Sequence, residues 1–390
     1  MEHWDAPSEA ALARWRAELP RSNGIAGLTV IDAADGSADW AQRAAALIHR
    51  DGFACVANVV APERLERVRA EAEGMVADVL AHDELDGVNG HRRYSLGGCS
   101  ATGACLHHPG WASLVGVSVV DEILTAVWGS GAYTCYGADA NFASPGSGYQ
   151  ALHSDFSARS KRELDGATGR ITAILAPDAP EAPDRTYESS GPGFHDPSGK
   201  VSVRQLPCPD VCVNIPLGGF TPLNGPPRLI AGSHHWTAPI PSLADEPQWM
   251  QLSTPCPLPI GSAVFRDPRT WHAGTPNVSS EVRIMLAHLY SAPWWHAPRR
   301  PLMPPQVFED LSARGQELCH GVVGGDAYGP EGQQGGSADG GGGVRWGDLR
   351  PGLSVLVDHG MTGEAVQWAR SHLGSSQSQF YPPGRRRHKL

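Results

Sequence analysis

Gln150-Ala-Leu-His153-Ser-Asp155-Phe156 is the stretch whose reading decides the fold. His153 and Asp155 stand two residues apart, and on a β-strand residues i and i+2 project to the same face. Read as a strand, the segment points an imidazole and a carboxylate side by side into one cavity. That is two-thirds of a two-histidine, one-carboxylate set, which suits non-haem Fe(II) and leaves coordination positions open. His-x-Asp alone is a short motif, and a polar loop pair is the plainer reading of three residues. A second stretch, more than a hundred residues on, changes the balance. Arg266-Asp-Pro-Arg-Thr-Trp-His272 offers another imidazole, and Arg283 follows it eleven residues later.

Four motifs occur in order: His49-Arg-Asp51-Gly52-Phe53; His153-x-Asp155; Asn224-Gly225-Pro226 with Ile230-Ala-Gly-Ser-His234; and His272 with Arg283. As an ordered set they resemble the phytanoyl-CoA dioxygenase (PhyH-like) family of Fe(II)/2-oxoglutarate-dependent oxygenases, over roughly residues 40 to 295. The resemblance implies a mainly β fold with flanking helices, built on a double-stranded β-helix (a cupin-like jelly roll). Such a barrel holds a cavity between its sheets. The resemblance also implies that His153, Asp155 and His272 are the catalytic ligands of Fe(2+), with 2-oxoglutarate as cosubstrate and O2 as oxidant. The implied reaction hydroxylates an unactivated C–H bond of a small organic substrate and yields succinate and CO2. Asp155 argues against the halogenase variants, in which a small residue replaces that carboxylate. Desaturation, epoxidation or cyclisation at the same site are alternatives. A non-catalytic jelly-roll binding protein is the competing class, since fold does not fix function. All three ligands are present, which favours the enzyme.

Arg283 is the implied anchor for the distal carboxylate of 2-oxoglutarate. Guanidinium pairs with carboxylate in a planar, bidentate way that lysine cannot copy. Arg283 stands among Val282, Ile284, Met285 and Leu286, where a cation is costly to bury without a charged partner. A salt bridge to Glu281 or Asp267 is the structural alternative. Asn214 and Gln150 are further candidates for binding the cosubstrate. Tyr94, Asn141 and Trp271 are candidate substrate or cosubstrate contacts, although each could be satisfied by ordinary backbone bonds or core packing. His107-His108 and His234-His235 are rival ligands. Neighbours on a strand face opposite ways, so neither pair gives both rings to one metal there.

The 390 residues carry a formal charge of −10, which argues against a nucleic-acid footprint. Eight cysteines are scattered without a CxxC pair, so free thiols are expected and a zinc site is not. The start, Met1-Glu-His-Trp-Asp5, has neither the basic nor the apolar region of a signal peptide. The most apolar long window, Trp111 to Trp128, is broken by Asp121-Glu122 and reads as an amphipathic helix, not a membrane span. The expected setting is intracellular, cytoplasmic by default. The C-terminal His388-Lys-Leu390 departs from the peroxisomal Ser-Lys-Leu in its third-last residue. Expected partners are small molecules, with no nucleic acid and no membrane. Asn277-Val-Ser279 is a formal glycosylation sequon that reads better as a turn.

Three regions are expected. Residues 1–80 form a helical region packing on the core. Residues 81–298 form the oxygenase core, with a Pro- and Gly-rich insertion at 177–203 as a candidate lid. Residues 299–390 form a helical extension with a Gly-rich flexible segment at 324–343 and a basic tail. Within them, helices are expected over 9–19, 39–49, from Pro62, and over 111–129. Strands are expected at 53–60, 131–142, around His153, and at 171–175, 211–216, 229–234, 263–265 and 282–290.

Overall fold

Apolar residues along the middle of the chain recur with a period of two, and that alternation sorts each strand into a helix-facing and a cavity-facing side. The computed structural model describes residues 5–21, 24–82, 87, 90–99, 105–155, 161–164, 171–175, 186–189, 198, 200–295 and 303–323. Its strands are β1 Val30–Asp32, β2 Phe53–Ala57, β3 Arg93–Ser95, β4 Thr134–Ala143, β5 Lys161–Leu164, β6 Ile171–Leu175 and β7 Thr186–Ser189. They continue with β8 Asp210–Pro216, β9 Pro227–Leu229, β10 Ala263–Arg266, β11 His272–Gly274 and β12 Arg283–Ser291. Seven strands form one sheet in the order β1-β2-β10-β8-β12-β4-β3. β11 pairs with β9 in a second sheet, and the segment around His153 joins it through a single bridge to His272. β6-β5-β7 make a separate three-stranded sheet. The fold is a double-stranded β-helix with flanking helices.

On the large sheet the period-two rule is obeyed strand after strand. Val211, Val213 and Ile215 of β8, Phe265 of β10, and Ile284, Leu286 and Tyr290 of β12 join the main core. That core includes Ile48 of the helix Trp40–Asp51, Leu65 and Val68 of Pro62–His82, and Ile123 and Leu124 of Ser118–Trp128. Full burial of a side chain such as Ile48 or Leu65 is worth about 1.5–3 kcal/mol. The alternate positions, among them Cys212 and Asn214 of β8, Arg266 of β10, Arg283 and Met285 of β12 and Asn141 of β4, face the other way, towards the second sheet.

Local signals set most boundaries. Ser8 caps the helix Glu9–Glu18 by accepting from the Ala11 N–H at 3.2 Å. Gly52 closes Trp40–Asp51 in the left-handed conformation, φ 85°. Pro62 opens the third helix, Pro62–His82.

Several expectations are corrected. The helix over 111–129 is two pieces, Pro109–Ser113 and Ser118–Trp128, with Gly116 at φ 77° between them. The chain does not run on as a strand from Leu229 to His234. β9 ends at Leu229 and Gly232, at φ 76°, turns the chain into a short 3-10 turn, Ser233–His235. His153 lies on an isolated bridge, not within a regular strand. Residues 1–80 are more than a helical layer, because β1 and β2 are part of the large sheet. Most of the 177–203 insertion, His195 included, and the extension beyond 323 lie outside the described residues; β7 falls within the insertion. Cys55, Cys135, Cys208, Cys212, Cys256 and Cys319 are free thiols, and among the described residues no helix is long and apolar enough to cross a membrane. Asn277 is fully buried and donates to the carbonyls of Ala143 and Glu281 at 2.8 Å each, as a turn residue would.

Candidate metal centre and its surroundings

His153 and His272 face one another across their bridge. The His153 N–H donates to the His272 carbonyl at 3.0 Å, and the His272 N–H returns the bond at 2.9 Å. Directly opposed residues project to the same face, and the two rings lie 4.2 Å apart by centroid. Each ring is tethered through Nδ1 to a carbonyl two residues back, His153 to Ala151 at 3.2 Å and His272 to Thr270 at 2.9 Å. At His153 an Nδ1–H given to the Ala151 carbonyl leaves Nε2 as the lone-pair donor; at His272 the Nδ1 atom is shared between the Thr270 carbonyl and Arg266 Nη1 at 3.2 Å, and Nε2 is the ring nitrogen turned to Asp155.

Asp155 completes the group. Its N–H donates to the Pro268 carbonyl at 3.0 Å, which pins the segment to the turn before His272. Its carboxylate lies 3.6 Å from His153 Nε2 and 3.5 Å from His272 Nε2. The three ligand atoms lie within 4.8 Å of one another. Asp155 keeps 45 % and His153 38 % of their side-chain surface open, so the cluster is accessible.

The protonation states suit a cation. Burial, followed by the charge of Arg266, holds His272 well below the usual histidine range, and burial lowers His153 against the pull of Asp155. Burial works to raise the Asp155 carboxyl, but His272, Arg266 and His153 together outweigh it and keep it below its ordinary value. Two neutral imidazoles and one carboxylate are the forms that ligate metal at neutral pH.

The turn between β10 and β11 is held from several sides. Arg266, only 6 % exposed, donates to the Asp155 carboxylate at 2.7 Å. Asp267 and Arg269 form a buried pair at 2.6 Å, and Arg269 also donates to the carbonyls of Val203 and Leu206 at 2.8 Å each. The Gly52 carbonyl accepts from the Asp267 N–H at 2.8 Å and the Thr270 hydroxyl at 3.0 Å. The Asp51-Gly52 motif therefore fixes the approach to His272 from more than two hundred residues away.

Arg283 stands on the same interior face. It is 6 % exposed and makes no ion pair with Glu281 or Asp267. Its Nε and Nη2 donate to the Gly225 carbonyl at 3.1 and 2.9 Å, and Nη1 donates to the Asn141 carbonyl at 3.1 Å. Burial brings it down to about 10, which still leaves it cationic at neutral pH. The Asn224-Gly225 turn thus orients the guanidinium without neutralising it.

The remaining candidates divide. Asn214 faces the interior and donates to the Leu286 carbonyl at 3.4 Å. Asn141 lies on the same face, and its carbonyl holds Arg283. Gln150 accepts from the Gly274 N–H at 3.0 Å and so braces the strand that carries His272. Tyr94 faces the helices, stacked on Phe142 at 4.4 Å within the main core, and does not line the metal cluster. Trp271 points away from His272 into an apolar cluster with Leu152, Ile230 and Met250. His234 is buried in its 3-10 turn, with Nε2 3.2 Å from the His49 carbonyl, and His107 and His108 pack near Trp111. Three residues escaped the sequence. Arg266 and Arg93 are single cations in strands, with no spacing to flag them. Tyr136 is the extra residue where the β12–β4 register shifts, and a bulge re-aims its side chain. Burial and the charges of Asp210, Cys212 and Asp155 raise its hydroxyl well above the usual range.

Residues 202–285 match the family model for phytanoyl-CoA dioxygenase (PhyH), a span that includes Asn214, Arg266, His272 and Arg283. That segment is similar to the PhyH family. Similar solved structures include the non-haem alpha-ketoglutarate-dependent carbocyclase SnoK from nogalamycin biosynthesis, 15% identical, covering 68% of this chain and 87% of that one, with a TM-score of 0.40. HygX from Streptomyces hygroscopicus, with nickel, 2-oxoglutarate and hygromycin B bound, is 18% identical over 66% of this chain and 90% of that one, with a TM-score of 0.42. AviO1 from Streptomyces viridochromogenes Tue57 is 18% identical over 65% and 96%, with a TM-score of 0.39. The PhyH-like segment is that of a dioxygenase family, and the His153–Asp155–His272 donor set is the one that suits non-haem iron. Among the described residues, the donor set of this cluster fits iron.

Proposed function

We propose that this chain is a PhyH-like, 2-oxoglutarate-dependent oxygenase that hydroxylates an unactivated C–H bond of a small organic substrate and converts 2-oxoglutarate to succinate and CO2. One juxtaposition carries the reading. A three-donor cluster and a buried guanidinium with no carboxylate partner among the described residues share one interior face. A 2-oxo dicarboxylate suits both ends, with a chelating 2-oxo acid at the metal and a free carboxylate at Arg283.

Bound iron would supply O2 activation there; the residues supply everything else. His153, Asp155 and His272 are the residues that would hold the metal. Contacts at Nδ1, to the Ala151 carbonyl for His153 and to the Thr270 carbonyl and Arg266 for His272, hold both imidazoles with Nε2 towards the cluster. Arg266 orients the Asp155 carboxylate through one of its oxygens. Arg283 positions the cosubstrate. Asn214 and Asn141 line the same face, with Tyr136 nearby on its bulge.

The test is an anaerobic visible titration of the protein with Fe(II) and then 2-oxoglutarate. A charge-transfer band is expected in the wild type, absent in His153→Ala and His272→Ala and weakened in Arg283→Met. Aerobic turnover of 2-oxoglutarate with succinate formation should follow the same pattern. Failure of the wild type to bind both iron and 2-oxoglutarate would sink the reading and leave a binding protein.

A further inference from the structure

Ala143 of β4 is flanked in register by two arginines, Arg93 on β3 and Arg283 on β12. Residues directly opposed across neighbouring strands project to one face. With strands about 4.8 Å apart, the two arginine Cα atoms stand about 10 Å apart, and only a methyl group lies between them. Both side chains are at least nine-tenths buried, at 5 % and 6 % exposed. Neither has a carboxylate partner among the described residues.

Arg93 spans from the large sheet to the second one. Its Nε and Nη2 donate to the Gly148 carbonyl at 3.0 and 2.7 Å, and Nη2 also donates to the Thr275 carbonyl. Nη1 makes no hydrogen bond among the described residues. It lies against Gly274, where a Cβ would meet the Arg93 Cζ at 2.7 Å. Gly274 is two residues beyond His272 on β11 and so faces the same way as that imidazole. The free edge of Arg93 therefore lies on the face of β11 from which His272 projects. The two cations feel one another, since burial and then the charge of Arg283 hold Arg93 well below its usual range.

We propose that Arg93 and Arg283 form a two-guanidinium cradle over Ala143 that grips the distal carboxylate of the 2-oxo acid from both sides. The inference rests on the 2-oxoglutarate reading above and adds a specificity-determining residue to it. A carboxylate has about four acceptor sites. Arg283 keeps one N–H on each terminal nitrogen beyond those given to Gly225 and Asn141, and Arg93 keeps both on Nη1. One anion can take bonds from each. Gly274 is part of the device, because a side chain there would occupy the place of Nη1.

The plainer role for Arg93 is a brace between the sheets, and the experiment separates the two. Full-length wild type, Arg93→Gln and Arg93→Lys are loaded with Fe(II) without oxygen. Each is titrated with 2-oxoglutarate and with pyruvate, which lacks the distal carboxylate. Arg93→Gln is expected to weaken 2-oxoglutarate by about ten- to hundredfold, the size of a lost charge-assisted bond, while pyruvate changes by less than about threefold. Arg93→Lys should recover part of the difference. Equal weakening of both acids, or 2-oxoglutarate within about twofold of wild type, overturns the cradle and leaves the parent reading intact. A wild type that binds neither acid overturns both. If Arg93→Gln does not fold, the ratio is read from Arg93→Lys, where an unchanged preference for 2-oxoglutarate counts against the cradle.

Discussion

Replacing Gly52 by alanine tests how the early Asp51-Gly52 motif holds the metal site. Two costs can be separated. The first is conformational, since φ at Gly52 is 85° and a left-handed L-residue costs about 1–2 kcal/mol. The second is steric. A Cβ at Gly52 would fall far inside contact distance of Thr270 Oγ1 and lie 2.7 Å from His234 Nδ1. Both neighbours are buried, at 0 % and 1 % exposed, so neither can swing aside into solvent. Overpacking of this kind costs about 1–3 kcal/mol, and any shift of Thr270 loosens its bond to the Gly52 carbonyl. The sum is about 2–5 kcal/mol. Gly36 supplies the control, with φ 75° and nothing within 4 Å of its added Cβ. Gly36→Ala should show the conformational cost alone. Urea unfolding of the two variants gives the difference in stability, and Fe(II) titration gives the effect on the site. Gly52→Ala should lose more stability than Gly36→Ala by at least about 1 kcal/mol and bind iron less tightly. Equal losses, with iron affinity unchanged, would refute the claim that Gly52 positions the turn before His272.

Further outcomes follow from the buried charges. Arg228 and Glu246 are both fully buried and ion-paired, so Arg228→Leu should cost about 3–5 kcal/mol by stranding a carboxylate. The double variant with Glu246→Leu should recover much of that loss in the same urea assay. His288 is held down to about 4 by burial against an ordinary 6.5. The unfolded chain then binds more protons between those values, so stability from this group is present above pH 6.5 and lost as pH falls towards 4. The loss is about 3 kcal/mol. His288→Asn should flatten that part of the stability–pH curve, and an unchanged slope relative to wild type would refute the assignment. Arg266→Met removes the brace on Asp155, and a broadened or shifted 2-oxoglutarate charge-transfer band in the Fe(II) protein is expected; a spectrum identical to wild type would count against an orienting role.

Much of this architecture was legible because its signals are local. The apolar, β-forming runs at 211–216 and 282–290 gave strands of the large sheet, Gly52 ended its helix, and spacing with resemblance singled out His153, Asp155 and His272, which the structure brings together. The misreadings share a cause. Tyr94 was placed at the site because its residue type suits a pocket, but the register of β3 on β4 turns it towards the helices and gives the inner face to Arg93. Trp271 adjoins a ligand in sequence and for that reason faces away from it in a strand. Gly232 broke an expected strand and Gly116 an expected helix, each at positive φ that apolar patterning does not reveal. Register, bulges and cross-sheet reach depend on partners far along the chain, and no single window of residues contains them.

The position of β2 has a consequence for how the chain reaches this state. Phe53–Ala57 pairs on one side with β1 and on the other with Ala263–Arg266, more than two hundred residues later. During synthesis that second edge has no partner until nearly all of the barrel has emerged. Closing so long a loop is slow relative to local helix formation, and an apolar strand edge waiting meanwhile invites pairing with other chains. Completion of the large sheet, and with it the seating of the turn that carries His272, is therefore expected to be a late event in folding, and Phe53–Ala57 the segment most in need of protection before it.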